Sequence, residues 1–280
     1  MWQQAKTVFF LGGLFAVFLI LGFLLGGVTG LTIGFIIAFI INLLAYWYSD
    51  KIVLYMYKAK EADEKEYEAI YSAVREITQK ANLPMPRVFV MDSDTPNAFA
   101  TGRNPQKAVV AVTKGLLRIL DKRELRGVIA HEVAHIKNRD ILIGSIAAVV
   151  AGAISYIAMM ARWGAIFGGG RDDGDGMLGV ILMSIIAPVI AMIISFAISR
   201  SREYLADSTG AGFTKDPNAL ADALQKLNAA NKSKPMKNAN PATSHMFIVN
   251  PLSAKAVLTL FSTHPPANKR IGKLRSMSIR

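Results

Sequence analysis

The chain has 280 residues, 52% of them hydrophobic, and its mean hydropathy of +0.33 excludes an ordinary soluble domain. It has no cysteine, which excludes disulfides and thiolate ligands, so any metal must be bound by histidine and carboxylate side chains. The formal net charge of +12 comes from lysines and arginines scattered over the polar segments without a nucleic-acid-binding motif, so we predict no nucleic-acid partner.

Four apolar segments are long enough to cross a bilayer, which takes about 20 residues. They run from Thr7 to Leu25, from Leu31 to Tyr48, from Ile141 to Ala161 and from Met177 to Ser199. The first is longer than the apolar core of a cleaved signal peptide and a second span follows at once, so we expect both to stay in the membrane. The second ends in Tyr-Trp-Tyr, typical of a membrane–water interface, and Pro188 predicts a kink in the fourth.

The basic residues predict how these spans are oriented. The connection at 26–30 is uncharged, and the connection at 162–176 holds two arginines against three aspartates. The segments after the second and fourth spans are rich in lysine and arginine, so the positive-inside rule places them and both termini in the cytoplasm. We therefore divide the chain into a membrane hairpin, a cytoplasmic segment, a second membrane hairpin and a second cytoplasmic segment, at 1–48, 49–140, 141–199 and 200–280.

The first cytoplasmic segment is predicted to be mixed α/β. Apolar residues recur at helical spacing over 63–83, which predicts a helix that ends before the proline-containing turn. The short β-branched runs 87–93 and 107–113 predict strands. Between them, the stretch Asn-Ala-Phe-Ala-Thr-Gly at 97–102 is, taken alone, typical of a turn followed by a short strand.

Helices are predicted on both sides of the second membrane hairpin. Residues 117–140 have a helical pattern, with Asp121 as a cap and Glu124 three residues on. The second cytoplasmic segment is also predicted to be helical, interrupted by a polar loop at 231–245.

A candidate metal site lies in the helix predicted over 117–140, where His131, Glu132 and His135 follow one another. Residues four apart share one face of a helix, so the two imidazoles can point at a single cation. Zinc suits two histidines and a carboxylate, and it lowers the pKa of bound water to about 7. Glu132 would then take up the water proton as general base and pass it to the leaving amine.

A zinc site of this type needs a third protein ligand and an open position. Glu203 offers a carboxylate for it, and Asp207, one helical turn later, can hold a histidine ring from behind. As an alternative, Glu203 pairs with Arg200 or Arg202 on a solvated face. The hairpin over 141–199 returns the chain to the membrane face that it left, which allows Glu203 to meet the two histidines.

Four motifs together carry a family likeness. They are Pro-Asn-Ala-Phe-Ala-Thr-Gly at 96–102, the stretch around the two histidines at 131–140, the stretch around Glu203 at 201–211 and Ser-Thr-His-Pro-Pro-Ala-Asn-Lys-Arg-Ile-Gly-Lys-Leu at 262–274. In this arrangement around two pairs of spans, the chain resembles the HtpX-type membrane zinc endopeptidases and, more distantly, is similar to the CAAX prenyl proteases. The resemblance covers nearly the whole chain. It implies a mostly α membrane protein, with four transmembrane helices and a cytoplasmic α+β, gluzincin-like catalytic domain formed from two segments.

The resemblance also implies roles for the metal-site residues. One zinc ion per chain would be bound by His131, His135 and Glu203. Glu132 would be the catalytic base, and Asp207 would support a ligand from the second layer of side chains.

Further residues are implied to bind the substrate. His264 and Arg270 would stabilise the oxyanion that forms on the substrate carbonyl, whereas without the family they would be a turn residue and a surface charge. The edge strand with which an extended substrate pairs would consist of Asn97, Ala98, Phe99, Ala100 and Thr101. The segment from Met246 to Leu252 either covers part of the cleft or is an ordinary core segment.

We therefore predict a membrane-anchored zinc-dependent endopeptidase of the bacterial inner membrane that cuts on the cytoplasmic side. The resemblance implies that its substrates are misfolded or damaged membrane proteins. Its partners would be polypeptide substrates and the lipid bilayer, and the sequence predicts no oligomeric state. One alternative is a protease that cuts within the bilayer, which the polar residues 137–140 between His135 and the third span disfavour. Another is a non-catalytic zinc-binding membrane scaffold.

Overall fold

The structure, a computed structural model, describes residues 2–150, 200–233, 246–249 and 265–278. The predicted fourth span, most of the third, His264 and nearly all of the predicted polar loop therefore lie outside the described residues. The described part is mostly helical, with one small mixed sheet.

Helix α1, Trp2–Met56, contains the first two predicted spans as the arms of a hairpin. The helical geometry breaks at Gly26 and Gly27, and the φ of Gly27 is +58°, which glycine adopts without steric cost. The arms pack closely, since a Cβ added to Gly22 would lie 2.3 Å from the carbonyl oxygen of Gly30. Small residues thus let the two backbones meet.

The second arm of α1 has the length and composition of a membrane span. Within the described residues, only Gly26–Met56 passes that test, with a mean hydropathy of 2.3, whereas the apolar helix Leu11–Ile20 in the first arm is shorter. The second arm exposes large apolar side chains such as Ile33, Phe35 and Phe39, which suits contact with lipid. The helix continues past Tyr48, the predicted end of the second span, to Met56.

Four strands form the sheet: β1 is Lys60–Glu61, β2 is Arg87–Met91, β3 is Ala98–Thr101 and β4 is Val109–Thr113. Their order is β1-β2-β4-β3, with β2 and β4 parallel and the outer strands antiparallel to their neighbours. Every residue of β3 and β4 is buried, because both faces of the sheet are covered. This explains why these strands read as continuous apolar runs. β3 lies at one edge of the sheet.

Helices cover one face of the sheet, and the hairpin formed by α1 covers the other. On the first face, Val88, Val110 and Val112 pack in one cluster with residues of the helices described below. On the second face, Phe89 and Ala111 pack with Val53 of α1. The sheet therefore rests against the end of the α1 hairpin.

The first soluble segment adds three helices, α2 (Glu68–Ala81), α3 (Lys114–Ile119) and α4 (Lys122–Lys137). The predicted cap of α4 is present as a complete capping box: the Asp121 carboxylate accepts the Glu124 N–H at 2.8 Å, and the Glu124 carboxylate accepts the Asp121 N–H at 2.9 Å. Asp121 has extended geometry, so the residues before it form the separate helix α3. Helix α5, Ile141–Val150, follows α4 and packs against Leu14 and Ala45 of the hairpin.

The second soluble segment contributes helices α6 (Arg200–Thr214), α7 (Pro217–Ser233) and α8 (Ala267–Arg275). α4 lies in the middle of this bundle and packs against α2, α6, α7 and the sheet. Most of α4 is consequently buried, including both His131 and Glu132. The central helix thus carries polar residues into the interior.

Candidate metal centre

Two helices bring three metal-binding side chains together. His131 and His135 lie one turn apart on α4, and their Nε2 atoms are 3.1 Å apart. Glu203 in the first turn of α6 places its carboxylate oxygens 3.8 Å from His131 Nε2 and 3.5 Å from His135 Nε2. One ligand atom from each of the three residues lies within 4.8 Å of the others, so they could hold one metal ion.

The close approach of α4 and α6 depends on a glycine. A Cβ added to Gly210 of α6 would lie 2.9 Å from the carbonyl carbon of Ala130 and 3.0 Å from the nitrogen of His131. Atoms at these distances must shift, so glycine at this position permits the helix spacing that the structure has. Glu203 is two helical turns away on the same helix, and its distance from the histidines follows from this contact.

A carboxylate lies behind each histidine. His131 Nδ1 is 3.0 Å from Asp207, and His135 Nδ1 is 3.1 Å from Asp140. A neutral ring that donates its Nδ1 proton to a carboxylate has a lone pair on Nε2. Two lone pairs and the Glu203 carboxylate then face one another in a buried space, a set of acceptors that a cation satisfies. The donor set therefore fits a metal ion such as zinc.

Arg270 of α8 closes the site on one side. Its side chain is 1% exposed, and its Nε and Nη2 donate to the two oxygens of Asp207 at 2.9 and 2.7 Å. Nη1 lies 3.2 Å from Glu203 Oε2, and Nη2 lies 3.3 Å from Nε2 of His131. Arg270 therefore places one positive charge between two buried carboxylates.

The buried charges shift the pKa values of the site. Burial raises the pKa of Asp207, but Arg270 and His131 outweigh it and hold that pKa at about 2. Burial and the nearby Arg270 lower the pKa of His131. Burial also lowers the pKa of His135, yet the carboxylates of Asp140 and Glu203 outweigh it and raise the pKa to about 10 in the metal-free site. A metal ion must therefore displace a proton from His135.

Glu132 lies beside the ligands on α4 and is 2% exposed. Burial raises its pKa to about 7, against the lowering effect of His135. The backbone of Ala100 in β3 lies close enough to this carboxylate to lower its pKa. Glu132 therefore connects the candidate metal ligands to the edge strand, with a pKa suited to gaining and losing a proton near neutral pH.

The predicted substrate-binding residues line this edge of the sheet. The predicted group of five comprises β3, Ala98–Thr101, together with Asn97 just before it, and all five residues are buried. A segment of the same chain contacts part of the edge: the Ile248 N–H donates to the Ala98 carbonyl at 3.1 Å. The Asn97 side chain donates to the Val249 carbonyl at 2.7 Å and accepts the Val249 N–H at 3.3 Å.

The structure thus gathers His131, Glu132, His135, Glu203, Asp207, Arg270 and the β3 edge around one point. His264 lies outside the described residues. Sequence reasoning missed Asp140 as a partner of His135. It also left the segment that starts at Met246 open between a cover of the cleft and a core segment. The proximity of Asp140 to the histidine in sequence was the available signal.

Comparison with known proteins agrees with this geometry. The profile of peptidase family M48 matches residues 64–278. A protease HtpX homolog of Syntrophobacter fumaroxidans is 54% identical over 99% of this chain and 100% of its own length. Another protease HtpX homolog, from Thermodesulfovibrio yellowstonii, is 55% identical over 98% of each chain. A third, from Thermococcus kodakarensis, is 54% identical over 92% of this chain and 90% of its own length.

A solved structure supports the fold. The crystal structure of S. mikatae Ste24p superposes on this chain with a TM-score of 0.52 at 19% identity. The aligned part covers 94% of this chain and 62% of the Ste24p chain. The predicted resemblance to HtpX-type proteases is confirmed by the curated relatives. With the family profile matched from α2 to the end of α8, this chain belongs to peptidase family M48, and it is a metalloprotease.

Proposed function

We propose that the protein is a zinc-dependent endopeptidase anchored in the membrane. The observation that carries the proposal is the convergence of three ligand atoms within 4.8 Å, with Glu132 beside them and next to Ala100 of the edge strand. Base, metal site and a surface for an extended polypeptide are therefore adjacent. Membership of family M48 supports the same assignment.

In the proposed mechanism, His131, His135 and Glu203 would hold one zinc ion per chain. When bound, zinc would supply Lewis acidity and would lower the pKa of water at the site to about 7. Glu132 takes the proton from the attacking water and later passes it to the leaving amine. Burial raises the pKa of Glu132 in the metal-free site, and the positive charge of a bound zinc ion would favour the carboxylate form that accepts the proton.

Other residues position these groups and the substrate. Asp207 orients His131 and keeps Arg270 in place, and we propose that Arg270, with His264, stabilises the oxyanion of the substrate carbonyl. The main chain of an extended substrate pairs with β3 at Asn97, Ala98, Phe99, Ala100 and Thr101. Recognition of main chain gives little side-chain selectivity, which suits unfolded substrates.

We further propose that the site faces the cytoplasm at the bacterial inner membrane and acts on misfolded or damaged membrane proteins. α4 ends at Lys137, and polar residues separate it from the apolar helix α5, which begins at Ile141. The metal site therefore lies on the polar side of this boundary. Placing the charged residues of the stretch 137–140 at the depth of the bilayer would be energetically costly, which argues against a site within the bilayer.

The proposal is tested by the purified full chain in detergent, loaded with zinc and given an unfolded protein substrate. The Glu132→Gln variant should keep one zinc per chain but lose activity by at least a factor of about 100, because the general base is gone. Cleavage at the wild-type rate by that variant would contradict the mechanism. Zinc binding without cleavage by the wild type would favour a non-catalytic scaffold.

A further inference from the structure

Two consecutive residues of the chain lie in the proposed substrate site. The Ile248 N–H donates to the Ala98 carbonyl, and the Ile248 carbonyl accepts from Arg270 Nη1 at 3.0 Å. The next residue, Val249, is bonded by both its N–H and its carbonyl to the side chain of Asn97. Every main-chain donor and acceptor of this pair is thus satisfied by the edge strand, the residue before it, or Arg270.

These contacts depend on main-chain atoms and not on side-chain identity. A site that holds four consecutive main-chain groups can hold those of another polypeptide in the same way. The proposed endopeptidase needs such a site. The same atoms cannot bind the segment and a substrate together, because Asn97, Ala98 and Arg270 Nη1 are already engaged.

Aromatic contacts also stabilise the position of the segment 246–249. Phe247 is fully buried, and its ring packs edge-on against Tyr57 and Phe99, with centroids 4.9 and 5.4 Å apart. Such edge-on contacts stabilise a buried ring beyond the burial of its area. The segment is therefore held by its side chain at Phe247 and by its main chain at the next two residues.

We propose that Met246–Val249 is an internal competitor for polypeptide substrates. It fills the main-chain binding site on Asn97, Ala98 and Arg270, and it leaves that site before a substrate binds. This inference rests on the proposed endopeptidase function and adds a mode of regulation to it. The apparent affinity for substrate is then reduced by the fraction of molecules in which the segment is bound.

Tethering the segment tests the proposal directly. The chain has no native cysteine, so the double variant Ala98→Cys/Ile248→Cys can form only the designed disulfide. The oxidised protein should cleave an unfolded substrate at least about 10-fold more slowly than the same protein after reduction, with equal zinc content in both forms. The cysteine-free wild type under both conditions is the control. Full activity with the disulfide formed would overturn the proposal.

Loosening the segment should have the opposite effect. Ile248→Pro removes the N–H that donates to Ala98, so KM for a peptide substrate should fall several-fold while kcat changes little. Ile248→Val keeps the N–H and should leave KM within about two-fold of the wild type. A higher KM in the proline variant would mean that the segment is a fixed part of the substrate site and would overturn the proposal.

A binding measurement separates failure of this inference from failure of the proposed function. A fluorescent peptide is titrated into zinc-loaded Glu132→Gln protein carrying the designed cysteine pair, and its polarisation is followed. Reduction should tighten binding at least about 10-fold if the segment competes. Equal affinity in both forms would reject competition even if no substrate is ever cleaved.

A second, independent observation is a basic cavity of about 510 Å³ at the end of the membrane hairpin. Its lining includes Trp47 and Lys51 of α1 and the cationic side chains of Arg87, Arg103 and Lys107. Asp50, 3.4 Å from Arg87, is the single acidic residue among the described lining residues. The cavity therefore carries an excess of positive charge.

The position of the cavity identifies the kind of anion. Trp47 lies at the end of the predicted second span, and the Arg103 guanidinium is 4.4 Å from its ring centroid. Tryptophan at a span end marks the headgroup level of a bilayer, where basic residues attract anionic lipids. We infer that this cavity binds the phosphate headgroup of an anionic phospholipid.

Fluorescence of Trp47 tests the lipid site. In a Trp2→Phe/Trp163→Phe background, short-chain phosphatidylglycerol in detergent should give a saturable change, and phosphatidylcholine should not. The variant Lys51→Gln/Arg103→Gln/Lys107→Gln should lose at least about 10-fold in affinity, whereas Arg118→Gln, outside the cavity, should not. Equal responses to both lipids, or saturation by inorganic phosphate at the same concentration, would overturn the assignment.

Discussion

The two histidines of the site have different carboxylate partners. Asp207 behind His131 is buried and bonded to Arg270, whereas Asp140 behind His135 lies just past the end of α4. Asp207 therefore serves two neighbours, and its loss would leave Arg270 buried without a partner on that side. Asp140 offers a cleaner test of how a carboxylate supports a metal ligand.

We expect Asp140→Asn to weaken zinc binding about 10- to 100-fold, because the His135 ring loses the charge that fixes its tautomer and raises its basicity. Competition with a fluorescent chelator measures the affinity. Asp92→Asn, at an exposed aspartate paired with Lys114, is the matched control and should bind zinc normally. Unchanged affinity in the Asp140 variant would show that His135 is positioned by its helix alone.

The raised pKa of Glu132 predicts a pH-dependent stability. In the metal-free folded protein the pKa of Glu132 is about 7, whereas its ordinary value is 4.5. Between these two pH values the carboxyl group is therefore protonated in the folded state and ionised in the unfolded state. Wild type should therefore lose stability relative to Glu132→Gln as pH rises from 4.5 to 7, by about 3 kcal/mol in full. Thermal unfolding in detergent with a chelator measures it, and a constant difference across that range would contradict the shift.

Residue spacing alone made part of the site predictable. His131, Glu132 and His135 lie within one helical turn, so local geometry places them together. Asp140 escaped prediction because its position depends on where α4 ends and on Arg139, whose positive φ of 57° turns the chain back. The contact of Arg270 with Asp207 joins residues far apart in sequence, and without the family resemblance no local pattern indicates it.

At the scale of elements, the site depends on how closely α6 approaches α4. Gly210→Ala should destabilise the protein by about 1–3 kcal/mol and weaken zinc binding, because the added methyl pushes against Ala130 and His131. Gly212→Ala on the same helix has no atom within 4 Å of the added Cβ, so it should be neutral or stabilising by up to about 1 kcal/mol. The unfolding temperature and zinc content of both variants check this prediction. Equal values for the two variants would show that the contact between α4 and α6 can accommodate an added methyl group.

The elements themselves were predictable to different degrees. The capping box at Asp121 and the strands beginning at Arg87 and Val109 follow local sequence signals. The strand at Lys60–Glu61 has two exposed residues and no alternating pattern, so the sequence carried no signal for it. The place of β3 at the sheet edge comes from the order β1-β2-β4-β3, which depends on long-range pairing that strand patterns do not encode.

At the scale of the whole molecule, the arrangement in the membrane is open to direct labelling. Because the chain has no cysteine, single cysteines can be placed at Asp173, in the predicted connection between the third and fourth spans, and at exposed Ser276 after α8. In intact cells or spheroplasts, an impermeant maleimide should label Asp173→Cys, and it should label Ser276→Cys only after lysis. Labelling of Ser276→Cys in intact cells would contradict the proposed cytoplasmic orientation.

The overall assembly was predictable from composition only in outline. Apolar runs indicated a membrane hairpin, and the described hairpin turns at Gly26 and Gly27. The sequence did not indicate that the sheet rests on the end of that hairpin through Phe89 and Val53. In the sequence, both residues look like any other apolar residue of a strand or helix. Their contact with each other is seen only in the structure.

The division of the metal site between α4 and α6 imposes an order on biosynthesis. A nascent chain that has been made as far as His135 carries two of the proposed ligands and the proposed base, yet Glu203 is not translated until the segment over 141–199 has been made. Arg270, which pairs with two of the buried carboxylates, comes later still. The growing polypeptide therefore cannot assemble a complete site beside the ribosome and the insertion machinery. Proteolytic competence is therefore delayed until Arg270 has been made.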